Sequence, residues 1–232
     1  MIQKLLLGDC LGLMKDIPDQ SIDMILCDLP YGTTACKWDN IIPFEPLWEQ
    51  YKRIIKNNGA IVLFGSQPFT SLLVTSNLKM FKYEWIWVKN NATGHLNAKR
   101  KPMSIFEDIL IFGEKIRYNP QNLIPFNKKV KRGHNGENYG TSGKENFQEF
   151  TNYPLDILCF NSDPNKLHPT QKPVELCEYL IKTYTNENDL VLDNCMGSGT
   201  TCLAAKNLNR QFIGMEKEES YFNIAKTRLG LQ

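Results

Sequence analysis

The chain has no Cys-x-x-Cys pair among its seven cysteines, and only three histidines accompany them. So few clustered ligands argue against a zinc site, and the odd cysteine count argues against a disulfide framework. A reducing, cytoplasmic setting is the natural expectation. Long apolar runs are missing as well, and none approaches the length needed to span a bilayer. The stretch Met1–Asp9 turns acidic too early to read as a secretory signal. No internal repeat or heptad pattern occurs, which excludes solenoids and coiled coils. Net charge is nearly absent, at +2 over 232 residues, so its distribution says more than its total.

What is present is an ordinary globular composition, 42% apolar and 22% charged. A chain of this length buries enough apolar surface to fold without metals or disulfides. It reads as one domain, residues 1–232, with a modest inserted region. Lys4–Leu7, Ile22–Cys27, Ala60–Phe64, Tyr83–Lys89, Asp108–Phe112, Asp189–Leu192 and Gln211–Met215 have the pattern of strands. Helical spacing marks Cys10–Lys15, Leu47–Ile55, Pro68–Asn77, Val174–Tyr184, Thr200–Leu208 and Glu219–Leu229, with Asn57-Asn58-Gly59 as a C-cap and Gly230 closing the chain's last helix. Near-continuous apolar strands alternating with helices predict an α/β fold: a mostly parallel sheet covered by helices on both faces. Trp85 and Trp87, at strand spacing, are expected to pack within that sheet.

Residues 114–166 differ in texture, being rich in Asn, Gly and Lys with little apolar periodicity, and are expected to form a structureless insertion. Its most basic piece runs from Lys128 to Gly136. Between residues 95 and 150 there are ten Lys or Arg against six acids, so this window carries +4 and the remainder −2.

Four predicted strands end in an acid: Asp9, Asp28, Asp193 and Glu216. Acids there can cap the following helices. In open α/β sheets the same position faces the ligand crevice beyond the carboxyl ends of the strands. Asp189–Glu216 is the most telling segment, reading as strand, glycine loop, helix, strand and a carboxylate about 20 residues beyond the loop. This is the mononucleotide half of a Rossmann unit, whose terminal acid can grip ribose hydroxyls. The loop has Gly197-x-Gly199 without a third glycine, and no Gly-Lys-Thr follows. A nucleoside without a pyrophosphate suits it better than a dinucleotide or a nucleoside triphosphate. The other pointed segment is Asp28-Leu29-Pro30-Tyr31-Gly32, where a carboxylate, a proline and an aromatic follow directly on a buried strand. Taken alone, it fits a turn and an active site equally.

Together, Asp28-Leu29-Pro30-Tyr31, the loop Asp193–Thr200 and the segment His168-Pro169-Thr170-Gln171-Lys172-Pro173 resemble the motifs of adenosylmethionine-dependent DNA amino-methyltransferases. The catalytic motif precedes the cofactor loop, which is the permuted order of that family's β group. The likeness covers Leu5–Leu229 and is weakest over 114–160. Two departures stand out: Leu29 replaces a proline, and Asn194-Cys195 replaces Pro-Phe in the cofactor loop.

The resemblance implies a Rossmann-like methyltransferase fold with S-adenosyl-L-methionine as cofactor and duplex DNA as partner. It leaves room for a homodimer and for a separately acting restriction endonuclease, in a bacterial or phage setting without a membrane. The catalytic role falls to the Asp28 carboxylate and the Leu29 carbonyl as acceptors for the target amine, with Pro30 shaping the turn and Tyr31 stacking the flipped base. Cofactor contacts fall to Asp9, Asp193, Gly197, Ser198, Gly199, Thr200 and Glu216, with Lys172 and Phe64–Ser66 as further lining. DNA contacts fall to Arg100, Lys128, Lys129, Lys131 and Arg132, and no metal is implied. Adenine N6 is the expected target because aspartate opens the motif. Cytosine N4, an RNA or protein amide substrate, a silent DNA-binding subunit and a nicotinamide dehydrogenase are the alternatives weighed.

Overall fold

The computed structural model describes residues 1–33, 39–131, 145–163, 167–168 and 170–231. Arg132, Trp38 and Pro169 lie outside the described residues. The chain divides into two compact units, residues 1–119 with 156–232, and residues 120–155.

Ten strands are described: β1 (Gln3–Leu7), β2 (Ile22–Cys27), β3 (Ile55–Gly65), β4 (Phe81–Thr93), β5 (Ser104–Phe112), β6 (Ile124–Lys131), β7 (Glu145–Thr151), β8 (Ile157–Cys159), β9 (Leu190–Asp193) and β10 (Gln211–Glu216). The helices are α1 (Cys10–Leu13), α2 (Phe44–Ile54), α3 (Phe69–Ser76), α4 (Val174–Tyr184), α5 (Thr200–Asn207) and α6 (Glu219–Leu229).

The larger unit holds an eight-stranded sheet in the order β1-β10-β9-β2-β3-β5-β4-β8. β1, β10, β9, β2 and β3 run parallel, β5 is antiparallel to both neighbours, and β8 is parallel to β4. Alternation along β2 shows why both faces are covered. Ile25 and Cys27 pack on one side with Leu47, Tyr51 and Ile54 of α2 and Phe69 and Leu73 of α3. Met24 and Leu26 pack on the other with Leu176, Leu180 and Ile181 of α4 and Ala204 and Ala205 of α5. All six residues of β2 are buried, as a central parallel strand requires. β1, whose apolar run Lys4–Leu7 reads in the sequence as a buried strand, is the sheet's edge and leaves Leu7 exposed.

Trp85 and Trp87 are buried in the sheet core as expected, and their indole N–H groups donate to the Tyr184 hydroxyl (2.7 Å) and the Phe160 carbonyl (2.9 Å). The expected C-cap at Asn57-Asn58-Gly59 is not formed. α2 ends at Ile54, Ile55 turns extended, and the Asn-Asn-Gly stretch is already part of β3. Gly59 is needed there for space, since a Cβ would come within 2.8 Å of the Asp23 carbonyl oxygen.

The expectation of a structureless insertion is also corrected. In the smaller unit β6 and β7 form an antiparallel hairpin, with Lys129 opposite Phe147 and Lys128 opposite Gln148. Its strands interleave cations and aromatics rather than alternating cleanly, and Ile124 and Phe147 stay exposed. Asn127, at positive φ, sits in the register break between Pro125 and Lys128. An apolar-periodicity search passes over such strands because neither face is consistently buried. β8, the last part of the stretch, belongs to the larger unit and extends its sheet.

Candidate active site

The strand order reverses between β2 and β9. From β2 the chain reaches its neighbour β3 through α2, and from β9 it reaches β10 on the other side through α5. Such a reversal opens a crevice beyond the strand ends. A cleft of about 660 Å³ lies there, and the four acids at strand ends, Asp9, Asp28, Asp193 and Glu216, all line it. Its size suits a small-molecule ligand with room to spare.

Asp28 follows directly on β2 and is wired through both oxygens. Tyr31 Oη donates to its Oδ1 at 2.8 Å, and Lys172 Nζ donates to its Oδ2. Lys172, just ahead of α4, is buried and also stands 3.3 Å from Oε2 of Glu107 on β5. Glu107 is in turn paired with Lys89 of β4. Burial pushes the Asp28 carboxyl up, Lys172 holds it down, and Glu107 pushes it up again, leaving it above the ordinary value. Burial alone would lower Lys172, but Asp28 and Glu107 outweigh it and raise the ammonium above the usual lysine range. Lys172 was expected beside the cofactor; it lies against Asp28, with the Phe64 ring 4.9 Å away.

The Tyr31 ring stacks on Phe69 at 4.9 Å between centroids, with 23° between planes. Phe69 therefore backs the Tyr31 ring. Leu29, the unusual residue of the motif, is buried in the core beneath α2 and α3. Packing thus restrains a backbone that a proline ring would otherwise fix.

Across the crevice, Asp193 ends β9 and accepts from Cys195 N at 3.1 Å. Among the described residues no cationic side chain pairs with it. Burial pushes its carboxyl up to about 7, against hydrogen bonds from Thr201 and Cys195 that favour the ionised form. Glu216, at the tip of β10, is held by backbone: Gly197 N donates to Oε2 and Glu218 N to Oε1, each at 2.9 Å. The glycine loop is braced from behind. Ser198 Oγ donates to Gln171 Oε1 at 3.1 Å, and Arg228 of α6 donates to the Thr200 hydroxyl at 2.9 Å.

Gly197 and Gly199 both take positive φ, which a side chain would strain. A Cβ at Gly199 would also press on Ala225 Cβ at 3.0 Å, so that residue faces α6 and is not among the residues lining the cleft. His168 packs its ring over Gly197, and burial, then Lys172, pull its pKa down to about 4. Asn194 of the atypical loop takes a hydrogen bond from the buried Tyr51 hydroxyl at 2.6 Å, while Cys195 beside it lines the cleft. Asp9 caps α1 by accepting from Leu11 N (3.0 Å) and Gly12 N (3.3 Å), so its capping and cleft positions coincide.

Of the remaining expected residues, Leu29, Pro30, Phe64, Ser198 and Thr200 line the cleft, whereas Gly65 and Ser66 lead into α3 and do not. Arg100 is exposed between β4 and β5. Lys128 and Lys129 are exposed on β6 of the smaller unit, and Lys131 ends that strand. Glu107, Lys89 and Phe69 were not anticipated. The available signal was the adjacent pair of acids, Glu107 and Asp108, inside the otherwise largely apolar run Ser104–Phe112.

A doubly covered sheet with a glycine loop after one strand and an acid-Leu-Pro-Tyr turn after its neighbour defines a Rossmann-like methyltransferase. The DNA methylase family model matches residues 22–227, and the chain belongs to that family, which covers the N6 and N4 types. It is 30% identical to the Type II methyltransferase M.HpaI of Haemophilus parainfluenzae over 99% of this chain and 74% of that protein. It is 31% identical to M.BglII of Bacillus subtilis over 97% of this chain and 68% of that protein. The solved complex of M1.HpyAVI with SAM superposes with a TM-score of 0.69 at 30% identity, covering 98% of this chain and all of that one. The PvuII cytosine-N4-specific methyltransferase shares the fold alone, with a TM-score of 0.70 at 17% identity over 97% of this chain and 85% of that one. The chain is a DNA amino-methyltransferase of a family that takes its methyl group from S-adenosylmethionine. No helix among the described residues is long and apolar enough to cross a membrane.

Proposed function

We propose that this protein methylates the exocyclic N6 amine of adenine in duplex DNA. The observation that carries the reading is Asp28, a carboxylate set in the cleft wall at the point where the strand order reverses. Aspartate at this place in the motif favours the adenine amine within the family that the sequence resembles.

The residues present fit the cofactor. The glycine loop carries no lysine or arginine, which suits a nucleoside rather than a phosphate chain. Both Glu216 oxygens are anchored by backbone N–H groups, Gly197 N on Oε2 and Glu218 N on Oε1, and the carboxylate keeps lone pairs for ribose hydroxyls. Asp193 and Asp9 supply further acceptors in the cleft, with Gly197, Ser198 and Thr200 forming its floor. S-adenosylmethionine, when bound there, supplies a methyl group already activated on a sulfonium.

The chain's own residues make the amine a nucleophile. An exocyclic amine is poor in this role because its lone pair is conjugated into the ring. Asp28 Oδ1 and the Leu29 carbonyl accept hydrogen bonds from its two N–H groups and favour positive charge on the nitrogen, as preorganised acceptors aimed at developing charge. The Tyr31 hydroxyl gives up Oδ1 as the base enters, and its ring, backed by Phe69, provides the stacking surface. The buried walls exclude water around the aligned groups.

DNA recognition is assigned to the region 114–166, whose hairpin exposes Lys128 and Lys129, with Lys131 at its end and Arg132 beyond it. Arg100 and its neighbours Lys99 and Lys101 offer a second set of phosphate contacts. The Type II designation of the relatives extends the reading to a restriction–modification pair in the cytoplasm, with an endonuclease that acts separately. Cytosine N4 is the second reading, favoured by the family's span of both amines.

Methyl-labelled S-adenosylmethionine and unmethylated genomic DNA, followed by digestion to nucleosides, provide the test. Label in N6-methyladenine is the expected result. Label in N4-methylcytosine, RNA or protein would refute the adenine assignment.

A further inference from the structure

The cleft wall contains a line of alternating charges that the catalytic motif does not include: Asp28, Lys172, Glu107 and Lys89. The two cations match the two carboxylates, which makes burial of the set tolerable. Its geometry is uneven. Lys172 is hydrogen-bonded to Asp28 Oδ2, while Glu107 Oε2 lies 3.3 Å from the same ammonium, buried and without any hydrogen bond. Glu107 Oε1 is occupied by Lys89. Lys172 thus has a vacant, fully desolvated acceptor beside the one it uses.

That vacancy bears on catalysis, in an inference that rests on the methyl-transfer reading above. Attack by the amine places positive charge on nitrogen next to Asp28. An ammonium on the same carboxylate draws off acceptor strength and repels that charge at short range in a low-dielectric site. We propose that Glu107 is a positioning residue: it holds Lys172 against Asp28 in the free enzyme and takes the ammonium onto its vacant oxygen as the target amine becomes cationic. The movement required is a small one, between two acceptors of one side chain. Against burial, Lys172 and then Lys89 hold the Glu107 carboxyl below its ordinary value, and Lys89 fixes its Oε1. Nothing in this role needs Glu107 to touch base or cofactor.

The groups that face Asp28 fix the expected signs. They are Tyr31 on its own loop, Cys27 of β2, Asp193 of β9, Glu107 of β5, Lys172 ahead of α4 and Cys177 within it, with Lys89 of β4 behind Glu107. Glu107 raises the Asp28 pKa and Lys172 lowers it. Removing the Glu107 charge therefore moves the acidic limb of the pH–kcat profile to lower pH, whereas removing the Lys172 charge moves it to higher pH.

The experiment uses the full chain with Glu107→Gln and Lys172→Met. It measures kcat against pH, calorimetric binding of S-adenosylmethionine, and a carbon-13 NMR titration of labelled aspartate in which Asp28→Asn assigns the Asp28 carboxyl. Glu107→Gln is expected to lower kcat about 10- to 100-fold and leave cofactor affinity within about twofold. The two variants are expected to shift the Asp28 titration in opposite directions. Equal loss of cofactor binding and kcat in Glu107→Gln, an unchanged kcat, or shifts of the same sign would overturn the proposal. Failure of the unaltered chain to methylate DNA would instead strike the methyltransferase reading, and the NMR titration would still decide whether Glu107 controls Asp28.

Discussion

Asp28 and Asp193 stand at the ends of neighbouring strands, β2 and β9, and face the same cleft. Their surroundings could hardly differ more. Asp28 is held by side chains, a tyrosine hydroxyl and a lysine ammonium, and the lysine leads on to a second ion pair. Asp193 has the Thr201 hydroxyl, a backbone N–H from its own loop and the Cys27 thiol, with no cation paired among the described residues. One residue type at two adjacent strand ends thus becomes two different groups. The side-chain-wired carboxylate has movable partners that an incoming amine can replace. The uncharged partners of the other hold it in place, and burial pushes it up to about 7.

Substitutions can break this comparison. Asp28→Ala should reduce methyl transfer by roughly 10³-fold or more while cofactor affinity stays within a few-fold, as read from labelled transfer and calorimetry. Equal losses in both would erase the distinction. Glu216→Ala, which removes the acceptor held by Gly197 N and Glu218 N, should weaken S-adenosylmethionine binding about 10- to 100-fold. The rate at saturating cofactor should survive it.

Asp193→Asn sharpens the contrast through stability. A carboxyl raised to about 7 in the fold, against roughly 4 in the unfolded chain, favours the folded state below pH 4. That contribution is lost as pH rises through 7, where a buried carboxylate must be charged. The cofactor-free Asn variant should therefore gain on the unaltered chain by about 1–3 kcal/mol between pH 5 and pH 8, measured by denaturant melts. A difference that does not change with pH would mean that Asp193 is ordinarily ionised. The smallest effect is expected far from both acids. Replacing Lys128 and Lys129 by alanine should lower the slope of log affinity against log salt by about two and leave the identity of the methylated base unchanged.

The two strand ends were also unequally legible in the sequence. Asp28-Leu29-Pro30-Tyr31 and Asp193–Thr200 were readable because a polar residue and a turn directly follow a short apolar run, and that local contrast survives without tertiary information. The helices α4 and α6 were equally plain from their spacing. What wires Asp28 was not, because its partners come from three distant segments. Lys172 lies within a proline-bounded stretch, Glu107 is one of two acids inside a strand, and Lys89 ends an aromatic run. Their convergence depends on the order β3-β5-β4, which no pairwise spacing reveals. The hairpin β6–β7 escaped for another reason: its residues pack too little to impose a period.

The account's central claim is that the lysine-paired carboxylate acts on the amine while its unpaired neighbour serves the cofactor. Single-turnover methyl transfer at saturating S-adenosylmethionine, compared between Asp28→Asn and Asp193→Asn, tests it most directly. The account predicts a loss of roughly 10³-fold for Asp28→Asn and recovery to within about tenfold of the unaltered rate for Asp193→Asn. Full activity of Asp28→Asn at saturation, or an equally deep loss in Asp193→Asn, would contradict it.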